Sequence, residues 1–258
     1  MRNPPRGLRA AVAACAGLAI LAGCGGGSGA GDAAGSGHSP PASSAGAVNT
    51  AARLMARVLA AARAAGSVHI VAYAKAGPST AVYAQDCAAN VGRQVITADH
   101  GGLATVLDIN GVGYVRGNAT ALAGFLGAPA KLAQRAADRW ISFHAGDDGY
   151  EHVVSGVTLT EVLAQITLIG VSRTGAVSTI AGHRVIGLRG EVPTGFGIPA
   201  GIQGTLYVSA TGAPLPVGFQ ASAPGGAGGE KISFSRWGER VRVSAPARSV
   251  RVSSLIPG

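Results

Sequence analysis

At Gly66 the apolar pattern of this chain changes period from about 3.6 residues to two, and short period-two runs then follow one another through tight turns. Residues 67–75 alternate along their whole length, and Gly77-Pro78 turns them into 80–88. Residues 94–99 and 103–109 continue the series. Asn110-Gly111 is a strong two-residue hairpin signal, with 112–116 as the returning strand. Neighbours joined by so few residues pair antiparallel, because a parallel partner needs a crossover of about a dozen residues or more.

The helical pieces are few. Leu54, Met55, Val58, Leu59, Ala62 and Ala65 fall on one stripe with Arg53 and Arg57 off it; Asn49 or Thr50 offers a cap at the start and Gly66 an end. After the first meander, Asn118 caps a helix whose apolar face is Leu122, Phe125 and Leu126. Gly127 ends it, and Pro129 starts another that runs to about Ala137. Residues 139–144 are strand-like. Thr158-Leu159-Thr160-Glu161 matches a capping box, and its helix would place Leu159, Val162, Leu163, Ile166 and Ile169 on one face. The last third returns to strands near 176–180, 183–191, 204–209, 215–221, 231–235 and 240–244, with turns at Ala210-Thr211-Gly212 and Trp237-Gly238. Many strands and few helices cannot cover both faces of a broad sheet. The expected fold is therefore α+β: a strongly curved antiparallel sheet, a half-barrel, with helices packed on its concave face and an apolar space between the two layers.

The N-terminus predicts location. Arg2, Arg6 and Arg9 precede a short apolar run, 10–22, which closes on Leu21-Ala22-Gly23-Cys24. A basic start, an apolar middle and small residues at the cut are the layout of a secretory signal. The run is too short for a membrane span, which needs roughly 20 apolar residues. A cysteine directly after Leu-Ala-Gly resembles the lipobox of bacterial lipoproteins. That resemblance implies a diacylglyceryl group on the Cys24 thiol and cleavage between Gly23 and Cys24. Residues 1–23 are then a lipoprotein signal peptide. Acyl chains on Cys24 hold the protein to the extracytoplasmic face of the cell membrane, each buried methylene contributing about 0.8 kcal/mol. Residues 25–47 are mainly Gly, Ser, Ala and Pro, with only Asp32 charged and no large apolar side chain, so 24–48 reads as a flexible tether and 49–258 as a single domain. Cys15 leaves with the signal and Cys24 is consumed by lipid. Cys87 remains alone in a strand-like run, expected to be a small buried apolar side chain, and the neighbouring Asp86 has the wrong sign to activate its thiol.

The net charge of +9 falls to +6 with the loss of Arg2, Arg6 and Arg9. The excess gathers near the end, where Lys231, Arg236, Arg240, Arg242, Arg248 and Arg251 face only Glu230 and Glu239. Arg240 and Arg242 alternate with Val241 and Val243 and would share one strand face, either simply solvated or turned to an anionic membrane or an acidic partner. A nucleic-acid partner does not suit an exported protein.

Catalytic patterns are missing. Gly170-Val171-Ser172-Arg173-Thr174-Gly175 lacks the spacing of a nucleophile elbow, and there is no phosphate loop. Gly195, Gly197, Gly201 and Gly204 lie in a Pro-interrupted stretch that reads as a connection. His144, Asp147, Asp148, Glu151 and His152 are metal-capable residue types, but their spacing matches no known site, and Asp147-Asp148-Gly149 reads as a solvated turn. His69, His100 and His183 lie in or beside strands with no acid partner visible. Trp140 and Phe143 read as core or rim. No catalytic residue, metal or cofactor is expected.

Gly113-Tyr114-Val115-Arg116-Gly117-Asn118, followed by helices and then Asp138-Arg139-Trp140-Ile141, completes a pattern with the lipobox, the Gly/Ser tether, the initial helix and the long meander. In these features the chain resembles the actinobacterial lipoproteins of the LppX/LprG kind, whose fold is similar to that of the lipoprotein carrier LolA. The resemblance implies a half-barrel closed by helices that binds a lipid or another apolar molecule, with no catalytic residues to carry over. Three functions stay open from sequence: a carrier for a lipid-like ligand; an interaction or sensor lipoprotein that touches another envelope protein without a ligand; and, third, a hydrolase.

Overall fold

The computed structural model describes residues 43–194, 200–223 and 228–255. The signal, Cys24, most of the tether, Gly195 and Gly197 lie outside them. The first helix, α1 (Ser43–Ala65), begins inside the segment read as tether, so Asn49 and Thr50 are interior helical residues and not caps. Gly66, at φ 79°, takes the left-handed turn that releases the chain into strands.

Two meanders make the sheet. The first is β1 (Ser67–Ala76), β2 (Ser79–Ala88), β3 (Val91–Ala98), β4 (Gly102–Ile109) and β5 (Val112–Gly117), each pairing antiparallel with the next. Asn110 (φ 52°) and Gly111 (φ 80°) both adopt the left-handed conformation of a tight hairpin, and Asp108 Oδ1 accepts from Gly111 N at 3.0 Å. Next come α2 (Ala119–Leu126), α3 (Ala130–Ala136), β6 (Ile141–Phe143), α4 (Tyr150–Val154) and α5 (Leu159–Gln165). The second meander is β7 (Ile169–Ile180), β8 (His183–Glu191), β9 (Gln203–Ser209), β10 (Pro216–Ser222) and β11 (Gly228–Ser235). β11 pairs with β1 and joins the two meanders into one open sheet of twelve strands, with β7 at one edge and β12 (Val250–Arg251) at the other. Among the described residues only β12, set parallel on β6, breaks the antiparallel rule.

Alternation decides which face is covered. Val68, Ile70 and Ala72 of β1, Tyr83, Gln85 and Cys87 of β2, and Ile232 and Phe234 of β11 point to one side and are buried. The helices lie on that side. Asn118 caps α2 by accepting from Ala121 N at 2.9 Å, and Gly127 ends it in the left-handed conformation, as the sequence predicts. The segment around α4 and α5 sits so close to the sheet that a Cβ on Gly92 would stand 1.8 Å from the Val157 carbonyl oxygen, and one on Gly113 2.9 Å from Val153. Glycine at 92 lets backbone rest on backbone, and glycine at 113 makes room for the Val153 and Val154 side chains of α4.

Three local readings change. Thr158 does cap α5, but Glu161 turns outward from the box and accepts from Gly156 N at 2.8 Å, so the pairing is not reciprocal. Ile169 opens β7 and is 57% exposed; α5 has already ended at Gln165. Residues 240–244 form no strand. They belong to a strap, 236–249, that leaves β11 and returns at β12. Seven inter-strand steps separate these, about 34 Å at ~4.8 Å each, which an extended strap of that length can cross. Ser67 Oγ holds its start through the Glu239 carbonyl at 2.5 Å, and Val250 N holds its end through the Trp140 carbonyl at 2.8 Å.

Candidate functional site

On the helix-bearing face the polar groups under α4 and α5 are tied to one another. Gln85 Nε2 donates to the carbonyls of Gly156 (2.8 Å) and Val157 (3.0 Å), while Gln94 Nε2 donates to Gln85 Oε1 at 3.0 Å. Ser155 Oγ accepts from Gln165 Nε2 at 3.2 Å. These bonds seat the helical segment on β2 and β3. Cys87 is fully buried beside them, and burial pushes its thiol up to about 12. It packs as an apolar group, as its sequence context predicts.

Farther along the same face the pattern differs. The register aligns Gly190, Gly204, Ala221, Glu230, Ala74, Ala81, Ala98 and Gly102 in one row across eight neighbouring strands. Leu168 packs near Gly190 and Gly204 at one end, and α2 meets Gly102 through Ala121 at the other. Between them Ala221, Ala74, Ala81 and Ala98 remain part-exposed, whereas the next row contains Leu188, Leu206, Phe219, Ile232, Ala72, Tyr83 and Ile96, all buried. The sheet thus presents a row of small, part-exposed residues beside the buried row.

Glu230 is the exception in that row of small residues. The residue as a whole is part-exposed, but its carboxyl Oε1 is sealed from solvent and has no hydrogen-bond partner. Desolvation pushes its pKa up to about 8, so the carboxyl is mostly protonated at neutral pH and can donate as well as accept. A buried polar atom without a partner costs roughly 1–3 kcal/mol.

The bare face is polar and charged. His69 Nδ1 lies 2.7 Å from Asp86 Oδ1, and Arg236 Nη2 reaches the same oxygen at 3.3 Å. The acid partner of His69 is its cross-strand neighbour, which sequence alone did not disclose. Farther along, the strap roofs a groove of about 630 Å³ whose lining includes Arg93, Leu103, Arg116, Trp140 and Arg242. Val71, Tyr73 and Val82 form a separate apolar patch on β1 and β2, at 42%, 46% and 43% exposure.

The metal-capable residues do not converge: among the described residues no group of three His, Cys, Asp or Glu could hold a metal ion. Asp147 instead accepts from His144 N at 2.8 Å and pairs with Arg251 at 3.2 Å, contacts that hold its carboxyl below the usual range. What reads as one solvated turn continues into α4. There His152 Nε2 donates to the Phe125 carbonyl at 2.7 Å, and burial pushes the imidazole down. Phe143 is core and Trp140 is rim, at the groove. His183 is exposed, and His100 sits in a turn at φ 58°. Cys24 lies outside the described residues. Sequence reasoning did not pick Glu230 as a site residue, although a signal was present: it stands in phase with Ile232 and Phe234, so alternation puts a carboxylate on an apolar face.

No family model matches the chain, and no curated protein matches it. Among solved structures it is similar to the lipoprotein LppX of Mycobacterium tuberculosis, at 18% identity over 75% of this chain and 99% of that one, with a TM-score of 0.49. It is similar to the MucA/MucB complex of Pseudomonas aeruginosa at 14% identity, over 81% of this chain and 61% of that one, with a TM-score of 0.40. A third is a domain described as an outer membrane lipoprotein-sorting protein from Vibrio parahaemolyticus, at 8% identity over 73% and 92% of the two chains, with a TM-score of 0.33.

Proposed function

We propose that this chain is a cell-envelope lipoprotein, anchored through acyl chains on Cys24, whose domain binds or carries a lipid or other hydrophobic ligand without catalysis. In this reading residues 24–48 are the spacer, the sheet is a LolA-like half-barrel, and the helices line its concave side. The observation that carries it is the floor of small residues around Glu230. An apolar molecule laid along Ala221, Ala74, Ala81 and Ala98 would cover their part-exposed surface, and a hydroxyl or similar polar end would supply the partner that Glu230 Oε1 lacks.

The test is native mass spectrometry, with organic extraction, of the mature protein purified from its own host. A stoichiometric lipid-sized adduct is expected, reduced in Glu230→Gln. A clean apo mass that also takes up no added lipid would overturn the ligand reading. It would favour a second one, in which the exposed Val71, Tyr73 and Val82 patch touches another envelope protein. Anchoring has a separate readout: intact mass should show a diacylglyceryl group that Cys24→Ala loses, and an unmodified soluble wild type would sink it.

A further inference from the structure

We propose that the strap-roofed groove on the bare face is an anion site, in which Arg93, Arg116 and Arg242 together hold the phosphate of a phospholipid headgroup. Arg93 stands on β3 and Arg116 on β5, both on the face away from the helices. By register Arg93 lies level with Leu107 of β4, and Arg116 with Thr105, one alternation step away. Two strand spacings and one such step set their Cα atoms about 12 Å apart, a span that two long side chains can close around one phosphate. Arg242 comes from the strap and enters the same lining, so the third cation approaches from above the sheet.

None of the three has a carboxylate within 4 Å among the described residues. The reason is visible on the sheet. Asp86, the cross-strand neighbour of Arg93, is committed to His69 at 2.7 Å and to Arg236 at 3.3 Å. One carboxylate, Asp138, shares the lining and offsets part of the charge. Three guanidinium groups in one groove repel one another unless an anion enters, and a phosphate oxygen pair matches the guanidinium fork.

The rest of the lining decides between sources of phosphate. Leu103 is 53% exposed, and Trp140 and Val95 are half-buried beside the arginines. An apolar rim around a cationic centre suits a headgroup still joined to its acyl chains, and a tryptophan favours that interface. The groove lies on the opposite face from Glu230, so this site stands or falls independently of the proposed ligand floor.

The experiment uses the full chain carrying Cys24→Ala, so that no acyl anchor contributes, with and without Arg93→Gln, Arg116→Gln and Arg242→Gln together. Binding is measured to vesicles of phosphatidylcholine, to vesicles of equal parts phosphatidylcholine and phosphatidylglycerol, and to free glycerol phosphate. The parent should prefer the anionic vesicles, and the preference should weaken with salt. The triple variant should lose it by about a hundredfold, roughly fivefold per arginine. Asp138→Asn, which removes the opposing carboxylate, should strengthen it, a gain that misfolding could not produce. If the parent takes up glycerol phosphate but ignores anionic vesicles, the anion site stands and the headgroup is overturned. Equal binding by parent and triple variant to both probes would overturn the site itself.

Discussion

The helix-bearing face of the sheet buries polar side chains in two places and treats them in opposite ways. Under α4 and α5 the Gln85 and Gln94 amides are tied to each other and to the carbonyls of Gly156 and Val157. At the other end Glu230 Oε1 is just as dry and has nothing to bond. Side chains tied to neighbouring backbone fix a packing arrangement, while a buried carboxyl oxygen with no tie spends stability. The contrast marks the first region as scaffold, and the second is where the proposed ligand would sit.

The comparison predicts the largest loss at the scaffold end. Gly92→Ala would drive a Cβ into the Val157 carbonyl at 1.8 Å, and neither backbone can yield cheaply. Thermal or denaturant unfolding should show a loss of about 4 kcal/mol or more. An effect under 1 kcal/mol would mean that the helical segment does not rest on β3 as described.

At the open end the sign reverses. Glu230 has its pKa raised from 4.5 to about 8, so the folded state binds a proton that the unfolded chain releases between those values. Its favourable share of stability is complete below about pH 4.5 and is lost as pH rises towards 8. Glu230→Gln should therefore be close to neutral at pH 4 and stabilising by up to about 3 kcal/mol at pH 7, with no further change above pH 8. Melting curves across that range check it. Added ligand should narrow the gap, because a bound partner benefits the wild-type carboxyl. A pH-independent difference would remove the case for a sealed carboxyl.

The smallest change sharpens the scaffold end. Gln85→Leu keeps the volume but strands the Gly156 and Val157 carbonyls, so a loss of about 2 kcal/mol is expected in the same assay. A neutral result would show that water or a shifted loop satisfies those carbonyls and that the two ends differ less than their geometry suggests.

Much of the fold was determined by the sequence alone, because its signals act over a few residues. Asn110-Gly111 needs two left-handed residues and so forces a hairpin; Asn118 and Gly127 bracket α2 through bonds to their own neighbours; the period-two runs of both meanders emerge as strands. Where a local signal had to compete with distant partners it failed. Arg240 to Ser244 alternates like a strand but finds no free edge along its path, and Glu161 has the capping-box position but bonds to Gly156. The sites belong wholly to the tertiary structure. Alternation could place Glu230 on an apolar face, but only pairing with Ala74 and Ala221 puts it in a floor of small residues. Arg93, Arg116 and Arg242 share a groove only because β11 joins β1 and the strap must then recross the sheet. Desolvation and charge gathering depend on which distant residues meet, and no local pattern along the chain encodes that.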